Sequence, residues 1–477
     1  MKWNEKTVLV FGAGKSGIGA CTLLNRLGLQ NILYDGNEKL SAEDIENRLE
    51  EDMRRGISVA ERLAGKACAA AEIRTEILLG DFPEERLGEL SLVVMSPGVP
   101  CDLPLVDDFR NAGIPVWGEV ELAYRTGAGK VFAVTGTNGK TTTTALLGEI
   151  MKSVCPEVYV VGNIGNPYTE AALSQSDEAV TVAEISSFQL ETIEQFHPAV
   201  SVITNITEDH MNRHHTMEEY IRVKELITKN QTADDAVVLN YEDPVLREFG
   251  EHLDKHVIWF SSARPLKEGL YYADGEIRAA GSICGEKDDI LLVRTADMKL
   301  LGLHNFENVM CAAAAALYGG VPAEKIREAV CGFAGVPHRI EFVSEKNGVA
   351  YYNDSKGTNP DAAIKGIQAM NRPTLLIGGG YDKQSAYDEW IGSFEGRVRY
   401  LVLIGQTREK IAETAVRCGF PEEKIIFCGD LKEAVNTCAS LAESGDAVLL
   451  SPACASWGQF DNYEQRGDLF KEYVRAL

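Results

Sequence analysis

The stretch Lys130-Val-Phe-Ala-Val-Thr-Gly-Thr-Asn-Gly-Lys-Thr-Thr-Thr-Thr144 decides how this chain is read. An apolar β run, Val131 to Val134, breaks at Gly136, passes Gly139-Lys140-Thr141 and continues as a helical pattern from Ala145 to Met151. Strand, glycine turn, Lys-Thr and helix start form a phosphate cradle. Backbone N–H groups of the turn and the positive end of the helix face the anion. Gly136, Thr137, Asn138 and Gly139 supply the turn, Lys140 reaches the outer phosphates, and Thr141 and Thr142 follow as ATP-binding candidates, with the Thr141 hydroxyl able to ligate Mg²⁺. The common spacing also needs a glycine at 134, where this chain has Val134, so the loop is a shortened variant. A glycine turn with an incidental lysine is the bland alternative, and the strand and helix on either side weigh against it. The stretch is read as an ATP site.

Outward from it, short apolar strands alternate with amphipathic helices, which signals parallel α/β sheets. The length of 477 residues points to three domains. The expected division is 1–118, 119–335 and 336–477: a Rossmann-like sheet, a central P-loop ATPase-type α/β domain and a second Rossmann-like α/β domain. The first holds Thr7-Val-Leu-Val-Phe-Gly-Ala-Gly-Lys-Ser-Gly17, a helix, and a strand from Asn31 ending at Asp35. The charged stretch Glu38 to Glu76 is expected to be a helical insertion. In the third domain, strands end at Asp354, Gly378-Gly-Gly380, Gly405 and Ser451-Pro452, and open α/β sheets place their ligands at such ends.

The net charge of −24 argues against a nucleic-acid surface. An anionic substrate must therefore be met by local positive groups. The eleven cysteines include no C-x-x-C pair, so neither a zinc site nor a disulfide framework is suggested. The chain enters its first strand with no signal peptide before it, and no apolar run approaches the roughly 18 residues of a membrane span. A cytoplasmic protein with no membrane insertion is expected, and a monomer is the simplest oligomeric state.

Gly12-x-Gly14-x-x-Gly17 with Asp35 after the next strand fits the dinucleotide fingerprint. Its physics is broader: N–H groups and a helix start facing a diphosphate suit any nucleotide diphosphate, and a tight structural turn is the alternative. Glu184 ends one strand and His210 follows the next, so with Thr141 they make a Mg²⁺ shell beside the phosphates. His210 alone would be read as a structural histidine. His214 and His215 are expected at the surface, and Lys224, on a helical pattern, would ordinarily be solvated. Three loops of the last domain, Asp354-Ser-Lys-Gly-Thr358, the one carrying Lys383, and Ser451-Pro-Ala-Cys-Ala-Ser456, bring an acid, a lysine and hydroxyls to one sheet edge. That suits a small substrate with carboxylates and an amine. No histidine neighbours Cys454 in sequence, so it is read as part of a polar turn rather than a nucleophile.

The chain resembles the Mur ligase family. The resemblance rests on Gly136-Thr-Asn-Gly-Lys-Thr141, Glu184-Ile-Ser-Ser-Phe-Gln-Leu-Glu191, Thr207-Glu-Asp-His210-Met, His304-Asn-Phe-Glu-Asn308, Pro337-His-Arg339 and Asn353-Asp-Ser-Lys356, in that order over the whole chain. Within the family, the Glu184 segment and Ser451–Ser456 are most similar to members that add D-glutamate to UDP-N-acetylmuramoyl-L-alanine. The resemblance implies a UDP-sugar-binding first domain, an ATP-binding second and an amino-acid-binding third.

It further implies roles for single residues. Lys140, Thr141, Glu184 and His210 would serve phosphate and two Mg²⁺ ions, with Lys224 carbamylated into a further metal ligand. Asn308, Arg339 and Asp354 would hold ATP. Gly14, Lys15, Ser16, Asp35, Gly36, Gly98 and Asn163 would meet the UDP substrate. Thr358, Lys383, Ser456 and Tyr463 would hold D-glutamate. Two departures stand out: Tyr463 replaces a frequent phenylalanine, and Gly36-Asn37 with the long insertion replaces a short loop bearing an arginine. The rivals are a ligase for another amino acid, a folylpolyglutamate synthetase, an NAD-dependent oxidoreductase using the Gly12 turn, and a non-catalytic nucleotide sensor.

Overall fold

Strands β1 (Thr7–Phe11), β2 (Asn31–Asp35), β3 (Thr75–Leu79), β4 (Leu90–Met95) and β5 (Val116–Gly118) form a parallel sheet in the order β3-β2-β1-β4-β5. The computed structural model describes residues 6–55, 73–285 and 288–477. Val8, Leu9 and Val10 of β1 are fully buried, as expected of a central parallel strand covered on both faces. Helix α1 (Lys15–Arg26) follows the first glycine turn, and helix α2 (Ala42–Arg55) follows β2. Ser41 caps α2 through the Asp44 N–H, and Ile45 and Leu49 bury in the same core as Leu23 and Leu24 of α1. The expected helical insertion is thus helical over Ala42–Arg55, Thr75 and Glu76 belong instead to β3, and residues 56–72 lie outside the described residues.

The second sheet is built from β6 (Lys130–Thr135), β7 (Val158–Gly162), β8 (Val180–Glu184), β9 (Val200–Ile203), β10 (Ala236–Asn240), β11 (His256–Ser261), β12 (Gly269–Ala273), β13 (Glu276–Ala280) and β14 (Asp289–Arg294), in the order β14-β13-β12-β11-β10-β9-β6-β8-β7. From β11 to β7 every pairing is parallel. β6 lies between β8 and β9, so the turn that leaves it is flanked by the ends of both neighbours.

The third sheet holds β15 (Glu341–Lys346), β16 (Val349–Asn353), β17 (Thr374–Gly378), β18 (Val398–Leu403), β19 (Ile425–Phe427) and β20 (Ala447–Leu450), ordered β15-β16-β20-β17-β18-β19 with only the β15 pairing antiparallel. Two cores sandwich it, one around Trp390 and one around Phe470. The chain divides into two compact units, one of Met1–Tyr271, Ala279–Ile290 and Met310–Ile326, the other of Tyr272–Arg278, Leu291–Val309 and Arg327–Leu477. Among the described residues no helix is long and apolar enough to cross a membrane, and no disulfide joins the cysteines.

Candidate active site

In the first unit the turn after β6 is shaped by its glycines. Gly136 has φ 135°, and a Cβ there would lie 2.0 Å from Thr204 Oγ1, so only glycine fits. Gly139, at φ 85°, ends the turn and starts the helix Lys140–Lys152. This helix begins five residues before the Ala145 expected from its apolar pattern, because Lys140 to Thr144 carry no apolar period. The end of β9 holds the turn from below: Asn205 Oδ1 accepts from the Asn138 N–H at 2.9 Å, and Thr204 Oγ1 donates to the Asn138 carbonyl at 2.6 Å. Lys140 Nζ donates to the carbonyls of Gly136 and Thr137, both at 2.8 Å. Thr141 and Thr142 occupy the first turn of the helix, with Thr142 buried.

Glu184 closes β8 and is buried. Its Oε1 accepts from Asn163 Nδ2 at 2.9 Å, while Oε2 is buried with no protein partner. A buried carboxylate oxygen left without a donor is costly unless a cation or ordered water meets it. The unpartnered Glu184 oxygen is of the kind that a hard divalent cation takes as a ligand. Among the described residues no group of three or more His, Cys, Asp or Glu side chains forms a ready-made metal site, so phosphate oxygens and water would complete any shell here.

His210 sits at φ 56° as the N-cap of the short helix Met211–His214, half-exposed, with its ring 4.9 Å from that of Phe188. The expected surface position of His214 is corrected by its burial: Nε2 is 2.9 Å from Ser187 Oγ and the ring stacks between Phe188 and Tyr220. Burial also holds its pKa below the usual histidine value. His215 is exposed.

The expectation that a helical lysine is solvated fails for Lys224, which is 2 % exposed in the helix Met217–Glu225. Its Nζ donates to the Gly136 carbonyl at 2.7 Å and to Thr135 Oγ1 at 3.2 Å. Burial, and then the neighbouring Lys140 charge, bring its pKa down to about 6. Tyr220, one helical turn earlier, places its hydroxyl 3.0 Å from Thr137 Oγ1. The sequence reading missed Tyr220, Thr204 and Asn205; the i, i+4 spacing of Tyr220 and Lys224 was the available signal for the first.

The first glycine turn lies in the same unit. Gly12 has φ 105°, and a Cβ on Gly17 would come 1.9 Å from the Gly12 carbonyl oxygen. Gly14 and Gly98 have open space at their Cβ positions, so a ligand can approach the backbone there. Both Asp35 oxygens are engaged within the turn, accepting from the Ala13 and Asn37 N–H groups at 2.9 and 3.0 Å. Gly36 follows directly, and Ser16 lies in the first turn of α1. Lys15 Nζ donates to the Gly165 carbonyl at 2.9 Å, next to the loop that carries Asn163.

In the second unit, β16, β20 and β17 are neighbours, so the loops carrying Asp354 and Thr358, Ser456 and Lys383 leave one sheet edge together, as the sequence implied. Arg466, which the sequence reading missed, ties two of them. This fully buried guanidinium donates to the Ser355 carbonyl and Oγ at 2.8 and 2.9 Å and to the Cys454 carbonyl at 3.1 Å. Asp354 is buried, accepting from Ser451 Oγ at 2.7 Å and the Ile340 N–H at 3.3 Å. Burial pushes its pKa up to about 7, and the nearby Arg339 opposes that shift.

The Lys383 ammonium is exposed, 5.1 Å from the Trp457 ring centroid, and Lys356 lies 5.6 Å over Tyr463. Ser456 is buried and Asn308 donates to Asn305 Oδ1 at 3.1 Å. Cys454 packs between Tyr387 and Thr407 with its thiol pKa raised by burial, which suits a turn and not a nucleophile.

A family model described as the Mur ligase middle domain matches residues 134–316, and one described as the Mur ligase, glutamate ligase domain matches 338–454. The chain is 51 % identical over 477 residues, covering 100 % of both chains, to a protein of Lachnospira eligens named UDP-N-acetylmuramoylalanine--D-glutamate ligase. A protein of the same name from Lachnoclostridium phytofermentans is also 51 % identical, over 100 % of this chain and 99 % of its own. Among solved structures, UDP-N-acetylmuramate-alanine ligase of Thermotoga maritima shares the fold with a TM-score of 0.56 at 18 % identity, covering 99 % of each chain.

Proposed function

The chain belongs to the Mur ligase family, and from that premise we propose that it joins D-glutamate to UDP-N-acetylmuramoyl-L-alanine at the expense of ATP, a step of peptidoglycan precursor synthesis. The single observation that carries the chemistry is the glycine turn after β6, where Gly139 starts the helix Lys140–Lys152 and so puts one lysine and a helix N-terminus on the same turn. A turn built this way answers an anion with several charges, such as the phosphates of ATP. A nucleotide-linked substrate and ATP put the reaction in the cytoplasm.

The muramoyl-alanine carboxylate attacks the γ-phosphorus of ATP, forming an acyl phosphate and releasing ADP. The D-glutamate amine then attacks the acyl carbon, phosphate leaves, and the amine loses a proton. In this reading Lys140 swings from the turn carbonyls to the outer phosphates, and the N–H groups of residues 139–142 hold the rest. Mg²⁺, held by Thr141, Glu184 and His210, would supply charge neutralisation at the phosphoryl oxygens. Asn163 fixes the Glu184 carboxylate so that one oxygen stays available.

With its pKa near 6, the Lys224 amine is uncharged at neutral pH, the form that adds CO₂. Its nitrogen bonds the CO₂ carbon and loses a proton, turning a buried base into an anionic ligand. That supports the carbamate implied by the resemblance.

In the second unit, Lys383 would meet a D-glutamate carboxylate and Arg339 the nucleotide, with Arg466 tying the Ser355 and Cys454 backbones of the loops that carry Thr358 and Ser456. The oxidoreductase reading has no use for the second phosphate turn and its Lys140. Mass spectrometry of the reaction mixture tests the proposal: a UDP product heavier by one glutamyl residue supports it, and ATP hydrolysis without that product sinks it.

A further inference from the structure

One guanidinium joins the loop after β4 to the segment that follows Glu184. Arg213 lies in the short helix Met211–His214, whose N-cap is His210. Its Nε donates to Glu191 Oε1 at 3.1 Å and its Nη2 to Glu191 Oε2 at 2.5 Å, a bidentate pair whose side chains are only 12 and 14 % exposed. The same Nη2 donates to the Val99 carbonyl at 3.0 Å, one residue past Gly98. The guanidinium carbon is 5.2 Å from the Phe188 ring centroid, and that ring packs 4.9 Å from the His210 ring. Arg213 therefore touches the turn assigned to the UDP substrate and, through Phe188, the histidine assigned to the metal. Other bonds from the segment between β8 and β9 go elsewhere. Gln189 Nε2 donates to Glu119, the N–H groups of residues 194–196 donate to Glu121, and Glu194 accepts from Trp117 Nε1. These hold β5 and the helix Glu119–Thr126, whereas Arg213 reaches the loop after β4, where the Cβ position of Gly98 is open to a ligand.

We propose that Arg213, clasped by Glu191, is a positioning residue of the ligase reaction, holding the Gly98 turn in register with the His210 end of the phosphate site. This inference rests on the ligase reading above. In that reading the acceptor carboxylate must meet the γ-phosphorus in line, yet the two reactants are anchored on different sheets, the UDP substrate on the first and ATP on the second. Their relative placement is then set by what ties the two anchoring turns together. A misplacement of about 1 Å between reacting groups can cost about 100-fold in rate. A guanidinium suits this task better than an ammonium. Its planar fork engages both Glu191 oxygens in one fixed geometry, and Nη2 keeps a second hydrogen for Val99.

Steady-state kinetics and thermal unfolding of the full chain test the inference with two variants. Arg213→Lys keeps the charge and loses the fork, and Glu191→Gln replaces one acceptor of the pair by an N–H₂ donor. Both should fold, because the bonds to Glu119, Glu121 and Trp117 still hold the segment between β8 and β9. Measured well below the melting temperature, each variant is expected to lower kcat about 10- to 100-fold and to raise KM for the UDP substrate. The KM values for ATP and D-glutamate should stay at wild type. The double variant should lose no more than the worse single change, since the two side chains act as one unit. Wild-type kcat in both variants, with or without a lower melting temperature, would overturn the inference and leave the ligase reading intact. Losses that multiply in the double variant, or KM values that rise for all three substrates, would overturn it too. A wild-type protein that makes no glutamyl product would instead remove the reading on which the inference stands.

Discussion

Lys224 Nζ lies 2.7 Å from the carbonyl oxygen of Gly136, so a helix 84 residues further along the chain than Lys140 places its amine on the same turn. A buried lysine without a carboxylate partner is held as the neutral amine. Lys224→Ala is expected to be nearly inactive yet folded, with activity partly restored by short-chain carboxylates that stand in for a carbamate. Wild-type turnover in that variant would remove Lys224 from the chemistry.

The hydrogen bond from Asn163 to Glu184 gives a second prediction. Asn163→Ala frees the carboxylate that the amide orients, and loss of such a support typically costs about 10–100-fold in metal affinity or activity. A Mg²⁺ titration of activity should shift to higher concentration by that factor. A shift only in KM for the UDP substrate would instead assign Asn163 to the substrate alone.

Gly136→Ala forces a Cβ against Thr204 at a φ that L side chains rarely adopt. The expected cost is about 2 kcal/mol of stability or more, with loss of ATP-dependent turnover. Urea unfolding and an ATP-binding titration check both parts, and a variant that binds ATP normally would contradict the geometry of the loop.

Glu119 yields a pH prediction. It is 1 % exposed, accepts from Gln189 Nε2 at 2.7 Å, and its second oxygen has no partner. Burial pushes its pKa up to about 7 from 4.5. The folded state therefore holds this proton more tightly than the unfolded chain. Its contribution to stability is full below pH ~4.5 and is lost as pH rises to about 7. Glu119→Gln removes the titration, so its stability relative to wild type should rise from pH ~4.5 to about 7 and level off above that. A flat difference across the range would show that the carboxyl does not titrate there.

Arg466→Met should loosen the loops after β16 and β20, since Ser355 and Cys454 lose their buried donor. A loss on the order of 3 kcal/mol and a raised KM for D-glutamate are expected. A stable variant with unchanged KM would show that the loops hold without it.

Much of this was legible in the residues because it follows from local pattern. The strand endings at Asp35 and Glu184, and at Asn353 one residue before the expected Asp354, fall where polarity breaks an apolar run, and the positive φ of Gly136 and Gly139 marks a turn that suits glycine. What escaped depends on long-range packing. Nothing near His214 in sequence reveals that Ser187 and Phe188 enclose it, and Arg466 reads as one more charge on an amphipathic helix. Lys224 became a candidate through resemblance, although its spacing from Tyr220 already placed both on one helix face. Glu38 to Glu76 shows only a charged run, and the hydrogen bond from Arg48 to the Ala13 carbonyl emerges only when α2 folds beside α1.

The central claim is that this active site couples ATP cleavage to one amino acid. The most direct measurement is phosphate release from ATP in the presence of UDP-N-acetylmuramoyl-L-alanine, comparing D-glutamate with L-glutamate, L-alanine and diaminopimelate. Release that depends on D-glutamate alone is the predicted result. Release with a different amino acid, or none with any of them while ATP still binds, would contradict it.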